Sequence, residues 1–176
     1  IDQWDALIQA MIKLGYTKAE LLAAGLAVQG KNGGIYDKFR NRLMLPVIDV
    51  RGDVIGFGSR VLDKSEPKYM NTSETITYSK RRALYAMNLA KKSKRPNIIL
   101  CEGNLDVVTL HQAGFDNAVA SMGTALTVEQ TRLLSRYTKE IVICYDNDNA
   151  GKIATERALQ LLNNSEFSVR VLQLPN

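Results

Sequence analysis

The stretch IVICYDNDNAG, residues 141–151, decides how the second half of this sequence is interpreted. Its first four residues, 141–144, are uncharged and have the composition of a buried strand. Asp146 and Asp148 follow almost at once, each with an asparagine after it, and Ala150 and Gly151 complete the stretch. Two carboxylates therefore lie where a buried strand ends, a costly position that needs a chemical explanation.

Short apolar strands alternate with helices throughout the sequence after Pro96. Strands are predicted at Ile98–Cys101, Ala118–Ala120, Ile141–Tyr145 and Val169–Leu172, with helices near 105–113, 128–137 and 150–162. Thr127 and Gln130 have capping-box spacing at the start of the middle helix. The alternation predicts an α/β fold in which helices flank both faces of a parallel sheet.

Acidic residues follow the first and third of these strands. Glu102 comes directly after the first strand, Asp106 lies one turn into the next helix, and Asp146 and Asp148 follow the third strand. If the two strands are neighbours, their carboxyl ends bring these side chains together, because ligand sites of open parallel sheets form at that edge. The glycine turn at 121–124 follows the second strand and reaches the same edge.

Such a cluster of carboxylates calls for cations. Like charges about 4 Å apart repel by roughly 4 kcal/mol at an effective dielectric constant of 20. Oxygen ligands without histidine or cysteine suit Mg²⁺ or Mn²⁺, and magnesium held by few carboxylates completes its shell with water and phosphate oxygens. The residues therefore predict a divalent metal at Glu102, Asp146 and Asp148, and phosphoryl chemistry.

DNDNAG also matches two other patterns in part. The segment begins like a calcium-binding EF-hand loop, but Ala150 and Arg157 occupy the fifth and twelfth positions, where oxygen ligands are required. Alternatively, Asp146 and Asp148 are turn and N-cap residues, which are common just before helices. Either aspartate alone fits the second interpretation, whereas acids at two strand ends together favour metal binding.

Charge is distributed unevenly along the chain. The net charge is +5, yet residues 36–95 contain 14 Lys or Arg against 6 acids, a local balance of +8. Residues 96–176 contain 6 basic residues against 9 acids, and the first 35 residues contain three of each. A solvated surface explains any single lysine, whereas the basic block as a whole favours binding to a polyanion.

The first half divides into two predicted parts. Residues 1–35 form a small helical segment, with a capping box at Thr17 and Glu20 in its second helix. In the basic segment, residues 43–62 predict two strands joined by a turn at 51–53, residues 66–75 an irregular loop, and residues 80–94 a helix. Pro96 marks the boundary, so the predicted domains are residues 1–35, 36–95 and 96–176.

Composition excludes several protein classes. The chain is 45% apolar and 23% charged, and no apolar run reaches the roughly 18–20 residues of a membrane span. Its two cysteines lack metal-ligand spacing, which argues against zinc and against a disulfide-stapled secreted fold. We interpret Cys101 and Cys144 as small buried residues in a reducing cytoplasm. The start at Ile1 rather than Met predicts that the chain was excised from a longer protein.

The motifs together resemble a known family. EGNLDVV (102–108) followed by YDNDNAG (145–151) resembles the Toprim domain of primases, topoisomerases and some nucleases. YDKFRNRLMLPVIDVRGDVIGFGSRVL (36–62), PKYMNTSET (67–75), LYAMNLAKK (84–92) and AVASMGTALT (118–127) resemble the RNA polymerase core of bacterial DnaG-type primases. The resemblance spans residues 36–162 and keeps the family's order of motifs.

This resemblance implies a DNA primase: a DNA-directed RNA polymerase that makes short RNA primers from ribonucleotides on single-stranded DNA during bacterial replication. It implies a Toprim fold beside a smaller basic α/β subdomain, and a divalent metal at the carboxylates. Glu102, Asp146 and Asp148 match the family's catalytic and metal-site acids, and Asp106 matches a supporting acid. The positions that match nucleotide- and template-binding residues are Arg40, Arg42, Arg60, Lys68, Tyr69, Asn71 and Lys80.

Other aspects of the resemblance are expectations about missing parts. A third acidic motif is expected beyond the end of the chain, and the family's zinc-binding and helicase-interacting modules have no counterpart here, so contact with the replicative helicase is expected only through the absent module. Asn104, Leu105 and Asn147 differ from the residues often found there in the family, and none of these differences removes a carboxylate. The remaining alternatives are another Toprim enzyme, a topoisomerase or nuclease, and a non-catalytic nucleic-acid-binding module.

Overall fold

A computed structural model describes residues 3–172 of the chain, which form two compact units. The N-terminal unit comprises Ile1–Pro46 and Ile55–Ser79, and the C-terminal unit comprises Val47–Val54 and Lys80–Asn176, within the described residues. The three functional domains anticipated from the sequence stay a prediction, because their boundaries were drawn by function and charge rather than by compactness.

The N-terminal unit begins with the two predicted helices. They are α1 (Ala6–Lys13) and α2 (Lys18–Ala23), followed by a hairpin of β1 (Ala27–Gln29) and β2 (Ile35–Asp37). Thr17 and Glu20 form the expected capping box at α2. The buried Asp37 carboxylate accepts hydrogen bonds from the backbone N–H groups of Leu7 (2.7 Å) and Ile8 (3.0 Å), so β2 caps the first turn of α1.

A three-stranded sheet follows, in the order β3 (Arg42–Ile48), β4 (Val54–Val61) and β5 (Tyr69–Asn71). The two strands predicted within 43–62 and their turn are therefore confirmed. In the turn, one oxygen of Asp49 accepts hydrogen bonds from the backbone N–H groups of residues 51, 52 and 53. The irregular loop expected at 66–75 is partly wrong, because β5 pairs antiparallel with β4 and places Tyr69 opposite Arg60.

The C-terminal unit is built on the predicted parallel sheet. Its elements in chain order are α3 (Met87–Ala90), β6 (Asn97–Cys101), α4 (Asn104–Gln112), β7 (Ala118–Ala120), α5 (Val128–Leu134), β8 (Glu140–Cys144), α6 (Asn149–Asn163) and β9 (Ser168–Val171). The strands lie in the order β7-β6-β8-β9, and every neighbouring pair is parallel. The first and third predicted strands, β6 and β8, are therefore neighbours, as the metal-site hypothesis required.

Both faces of this sheet are buried. One face carries a cluster that includes Ile98, Leu100 and Ile143 and packs against Leu134 of α5 and Leu162 of α6. The opposite face carries a second cluster, in which α4 contributes its buried side chain at position 107. Between residues 3 and 172, no helix combines the length and apolar character needed to cross a membrane.

The long helix predicted for residues 80–94 is wrong, since only Met87–Ala90 is helical. Backbone groups before it bond to other segments instead of to each other. The Gln130 amide donates to the carbonyls of Lys80 and Ala83, and Tyr85 exchanges two backbone hydrogen bonds with Ala120. Ala86 then adopts a left-handed φ of 61°, which prevents a continuous helix. Tertiary hydrogen bonds override the local helix propensity here.

Gly56 provides a stability test of the N-terminal unit. A Cβ at this position would lie 3.1 Å from the ring of the buried Tyr78 and 3.2 Å from Cβ of Thr72. We expect Gly56→Ala to lower the free energy of unfolding by about 1–3 kcal/mol, because the packed ring has to shift. Urea unfolding followed by circular dichroism measures this change.

Gly34→Ala is the matched control, because a Cβ there meets no atom within 4 Å and its φ is not left-handed. Equal unfolding midpoints for the two variants would show that the packing of the Tyr78 ring does not require a residue without Cβ at position 56.

Candidate active site

The pairing of β6 with β8 brings two predicted site residues together. Cys101 lies opposite Cys144 in the parallel register, so Glu102 and Asp146 leave adjacent strands at the same edge of the sheet. The backbone N–H of Asp146 donates a 3.4 Å hydrogen bond to Oε2 of Glu102. The geometric part of the sequence argument, that the two strand ends meet, is therefore confirmed, whereas the chemical roles of these residues stay predictions.

The other two acids, Asp148 and Asp106, accept hydrogen bonds at the starts of the helices that follow β8 and β6. Asp148 is the N-cap of α6, and its Oδ1 accepts a 2.8 Å hydrogen bond from the backbone N–H of Gly151. Asp106 lies in the first turn of α4, where its Oδ2 accepts a 2.9 Å hydrogen bond from the backbone N–H of Gly103. The capping interpretation of Asp148 is thus confirmed, and the cap leaves its second carboxylate oxygen available for another partner.

Gly151 permits the tight turn that carries the two aspartates. A Cβ built on Gly151 would lie 2.0 Å from the carbonyl oxygen of Asp146 and 3.1 Å from its Cα. Real Cβ atoms do not approach backbone this closely, so only glycine lets the first turn of α6 pack against the 146–148 segment. The final glycine of DNDNAG therefore belongs to the site as a structural residue.

Burial and mutual repulsion raise the pKa of two carboxyl groups in this cluster. For Glu102, burial is the main cause, and the charges of Asp146, Asp148 and Asp106 raise its pKa further against the opposing hydrogen bond from Asp146. For Asp106, burial again raises the pKa, and the charge of Asp146 adds to it. The edge therefore carries negative charge that is electrostatically unfavourable in the absence of cations.

The donor chemistry of this edge fits a hard divalent cation. In the described residues, 3–172, no three His, Cys, Asp or Glu side chains already converge to metal-binding distances. The carboxylates nevertheless offer only oxygen donors, and burial raises the pKa of the nearby Cys101 thiol to about 12. A protonated thiol is a poor ligand, so the edge favours Mg²⁺-type ions over thiophilic metals such as zinc.

A cavity of about 300 Å³ opens beside Glu102 within the C-terminal unit. One wall is the segment 121–126, the turn that the sequence placed at this edge. The opposite wall is one face of α6, and Tyr145 and Glu102 also line the cavity; the α6 residues are Ala150, Ile153, Ala154 and Arg157. Burial, followed by the charge of Glu102, raises the pKa of the Tyr145 hydroxyl, which stays protonated at neutral pH.

Four of the predicted nucleotide- and template-binding residues lie together in the N-terminal unit. The guanidinium of Arg60 lies 6.0 Å from the ring centre of Tyr69, and Nζ of Lys68 lies 5.6 Å from the same centre. Arg42 donates a 2.9 Å hydrogen bond to the carbonyl of Pro67, while its Nη1 is enclosed without a hydrogen-bond partner among the described residues. Tyr69 is 54% exposed, so its ring is accessible.

The remaining predicted positions lie elsewhere. The guanidinium of Arg40 stacks on Trp4, 4.3 Å from the ring centre, and on Tyr36 at 5.0 Å. Asn71 belongs to β5 opposite Gly58, and Lys80 lies in the C-terminal unit. The structure therefore groups Arg42, Arg60, Lys68 and Tyr69, and it gives Arg40 aromatic partners in its own unit.

Sequence reasoning missed two residues with clear structural positions. Asp37 was counted only as a charge, although it caps α1 from 29 and 30 residues away along the chain. Arg157 was considered only as a failed calcium ligand. Its signal was present, since residues 150, 153, 154 and 157 have the i, i+3, i+4, i+7 spacing of one helix face.

Comparison with known proteins places these features in context. The profile described as DNA primase catalytic core, N-terminal domain, matches residues 1–91, and a Toprim-like profile matches residues 99–176. A DNA primase from Clostridium acetobutylicum is 48% identical over 99% of this chain. The chain spans 29% of the length of that relative.

Solved structures show the same similarity. The catalytic core of the Escherichia coli primase superposes with a TM-score of 0.89 at 38% identity, covering 99% of this chain and 57% of the other. A DnaG primase catalytic domain bound to single-stranded DNA superposes with a TM-score of 0.88 at 37% identity, covering 99% of this chain and 58% of the other.

Substitution of Gly151 tests the turn that carries Asp146 and Asp148. We expect Gly151→Ala to lower the free energy of unfolding by about 3 kcal/mol, at the upper end for overpacking, because the obstructing atom is backbone and cannot rotate away. Thermal unfolding by calorimetry measures the loss. An alanine variant as stable as the wild type would mean that the turn does not need the close approach at Gly151.

The raised pKa of Glu102 gives stability a defined pH dependence in metal-free buffer. A carboxyl group with a higher pKa in the folded chain binds its proton more tightly when folded, so its stabilising effect is full below the unfolded pKa and is lost as the pH rises through the folded pKa. We therefore expect Glu102→Gln to melt at a higher temperature than the wild type at pH 7. The difference should shrink as the pH falls below the ordinary glutamate value of 4.5.

Glu166→Gln serves as the matched control, because Glu166 is exposed and forms a surface ion pair with Lys139 at 3.4 Å. A melting temperature for Glu102→Gln at pH 7 that is no higher than that of the control would contradict the repulsion described for this edge.

Proposed function

Because this chain belongs to the bacterial DnaG-type DNA primase family, we propose that it forms the carboxylate-bearing part of a primase that synthesises short RNA primers on single-stranded DNA. One observation carries the proposal: β6 and β8 bring Glu102 and Asp146 to the same sheet edge, where they are hydrogen-bonded through backbone. Nucleotidyl transfer suits such an edge, because carboxylates there can hold the divalent cation that would neutralise the negative charge of a triphosphate.

In this proposal, Glu102, Asp146 and Asp148 hold a divalent cation, Mg²⁺ or Mn²⁺. Such a cation supplies charge neutralisation at the leaving pyrophosphate and activation of the attacking 3′ hydroxyl. The protein's own contribution is preorganisation. The N-cap bond to Gly151 orients Asp148, and the hydrogen bond from the Asp146 backbone orients Glu102. Asp106 has an indirect role: it accepts a hydrogen bond from the backbone N–H of Gly103 and so holds the backbone next to Glu102.

The basic residues of the N-terminal unit are assigned to nucleic acid. Arginine binds phosphate oxygens through two parallel hydrogen bonds, which suits Arg42 and Arg60 to triphosphate or template backbone. Tyr69 offers an exposed ring on which a base can stack, with Lys68 beside it. The remaining assigned positions are Arg40, Asn71 and Lys80. The ligands of this surface are single-stranded DNA, ribonucleoside triphosphates and the RNA primer.

The cellular setting is part of the same proposal and is taken from the family. We place the protein in the bacterial cytoplasm at the replication fork, where the replicative helicase would be contacted by a module other than the residues described in this structure. The solved DnaG catalytic domain bound to single-stranded DNA supports a DNA template for this chain as well.

Primer synthesis tests the proposal directly. The protein, in a form long enough to continue past Asn176, is incubated with single-stranded DNA, labelled ribonucleotides and Mg²⁺ or Mn²⁺. We expect short RNA products, reduced by a factor of about 10² or more in Glu102→Gln and in Asp146→Asn, because each change removes a charge from the cation site. Denaturing gel electrophoresis measures product length and yield.

Glu166→Gln should retain full activity, since it lies outside the carboxylate edge. Activity surviving either site substitution would refute the assignment of that residue. Metal-dependent nicking of supercoiled plasmid without RNA synthesis would instead indicate a Toprim nuclease, and salt-sensitive DNA binding with no chemistry would indicate a binding module.

A further inference from the structure

We propose that Arg157 binds a phosphate group of a nucleotide held in the cavity beside Glu102. The inference rests on the proposed function for the identity of its ligand, and it adds a nucleotide-binding residue outside the two acidic motifs and the basic segment.

The cavity is suited to part of a small polar molecule. Its volume of about 300 Å³ is at the lower end of the range of small-molecule sites, which is roughly 300–1,000 Å³. Leu126 and Ile153 provide apolar surface for a sugar or base, while Glu102 and Arg157 are the charged residues of its lining. A ligand that fills the cavity would therefore contact a carboxylate in one part of it and a guanidinium in another.

The wall opposite α6 is held in place before any ligand binds. The Ser121 hydroxyl donates a 2.7 Å hydrogen bond to the carbonyl of Thr124, which closes the turn. Thr127, directly after the segment, donates a hydrogen bond to the carbonyl of Arg81 at 2.6 Å and forms a capping box with Gln130. A preformed cavity loses less conformational entropy on binding than a mobile one.

Within residues 3–172, Arg157 lines this cavity without a hydrogen-bond or ion-pair partner in the protein. Elsewhere in the same unit, basic side chains pair with acids, as in Arg81–Glu129, Arg95–Asp116, Lys139–Glu166 and Arg170–Glu140. Arg157 is exposed and takes part in none of the hydrogen bonds or ion pairs formed within the described residues. An exposed guanidinium on the wall of a preformed cavity is suited to bidentate binding of a phosphate.

The position of Arg157 also separates it from the cation site. The carboxylates lie at the ends of β6 and β8 and at the start of α6, whereas Arg157 lies two turns further along α6 on the face that lines the cavity. A nucleotide whose phosphates are shared between a cation at Glu102 and the guanidinium of Arg157 would have its charge neutralised from two sides.

Nucleotide binding by variants of the chain tests this inference. Calorimetric titration with ATP and Mg²⁺ at fixed salt is carried out on wild type, Arg157→Gln, Arg157→Lys and Arg136→Gln. We expect Arg157→Gln to weaken binding about tenfold or more, because it removes a charge-assisted hydrogen bond to phosphate. The ATP affinity of Arg157→Lys should lie between those of the wild type and Arg157→Gln, since lysine keeps the positive charge but lacks the planar guanidinium that binds phosphate through two hydrogen bonds.

Arg136→Gln is the matched control. Arg136 is also an exposed arginine of this unit, and it follows the end of α5 on the way to the opposite, amino-terminal edge of β8. Its substitution should leave affinity within twofold of the wild type. The inference is overturned if Arg157→Gln loses no more affinity than Arg136→Gln, or if the wild type does not bind ATP.

This outcome is separable from that of the primase proposal. ATP affinity that depends on Arg157, without RNA synthesis in the longer protein, would sustain the binding residue and refute the primase. RNA synthesis with unchanged ATP affinity in Arg157→Gln would support the primase proposal and refute the role of Arg157 in nucleotide binding. Thermal unfolding of each variant shows whether a loss of affinity reflects a loss of fold.

Discussion

The parallel pairing of β6 with β8 places Cys101 opposite Cys144, so Glu102, one residue further on, and Asp146, two residues further on, leave neighbouring strands at the same edge of the sheet. Everything specific to this site depends on that register. A shift of one residue would move the buried side chains of a strand to its other face and would separate Glu102 from Asp146 along the edge. The two apolar clusters that cover the sheet therefore hold the register, and through it they hold the carboxylates.

Hydrogen bonds from backbone compensate part of the resulting repulsion. Glu102, Asp106 and Asp148 each accept a hydrogen bond from a backbone N–H group, and two of these groups are at the starts of helices. A helix start carries partial positive charge, which favours a nearby carboxylate. Burial first, and the charges of neighbouring carboxylates second, nevertheless keep the pKa values of Glu102 and Asp106 raised. The remaining negative charge is what a cation would neutralise.

Much of the C-terminal unit could be predicted because short stretches of its sequence are sufficient to indicate its strands and helices. Strands of three to five residues alternate with capped helices, and the acids follow two of the strands closely. The helix expected at 80–94 failed because Gln130 and Ala120, distant in sequence, bind the backbone that the helix would have used. β5 was missed because its three residues lie among polar loop residues and form a strand through their pairing with β4.

The site was predictable to a similar extent. The acids could be identified because they follow the strands closely in the sequence. The positions of Lys68 and Arg60 near the ring of Tyr69 could not be predicted, because they depend on the pairing of β4 with β5. Arg157 was overlooked because single exposed arginines are common on helices. Its significance depends on a cavity whose opposite wall comes from the segment after β7, and no sequence period encodes that proximity.

The two strand-ending cysteines have a consequence for how this edge withstands chemical stress. Burial raises the pKa of both thiols, and the nearby carboxylate charges raise it further for each. The thiolate is the form that oxidants and alkylating agents attack, so a thiol held protonated reacts slowly. Burial and the nearby carboxylates therefore disfavour the thiolate form of both cysteines, directly beneath the register on which the site depends.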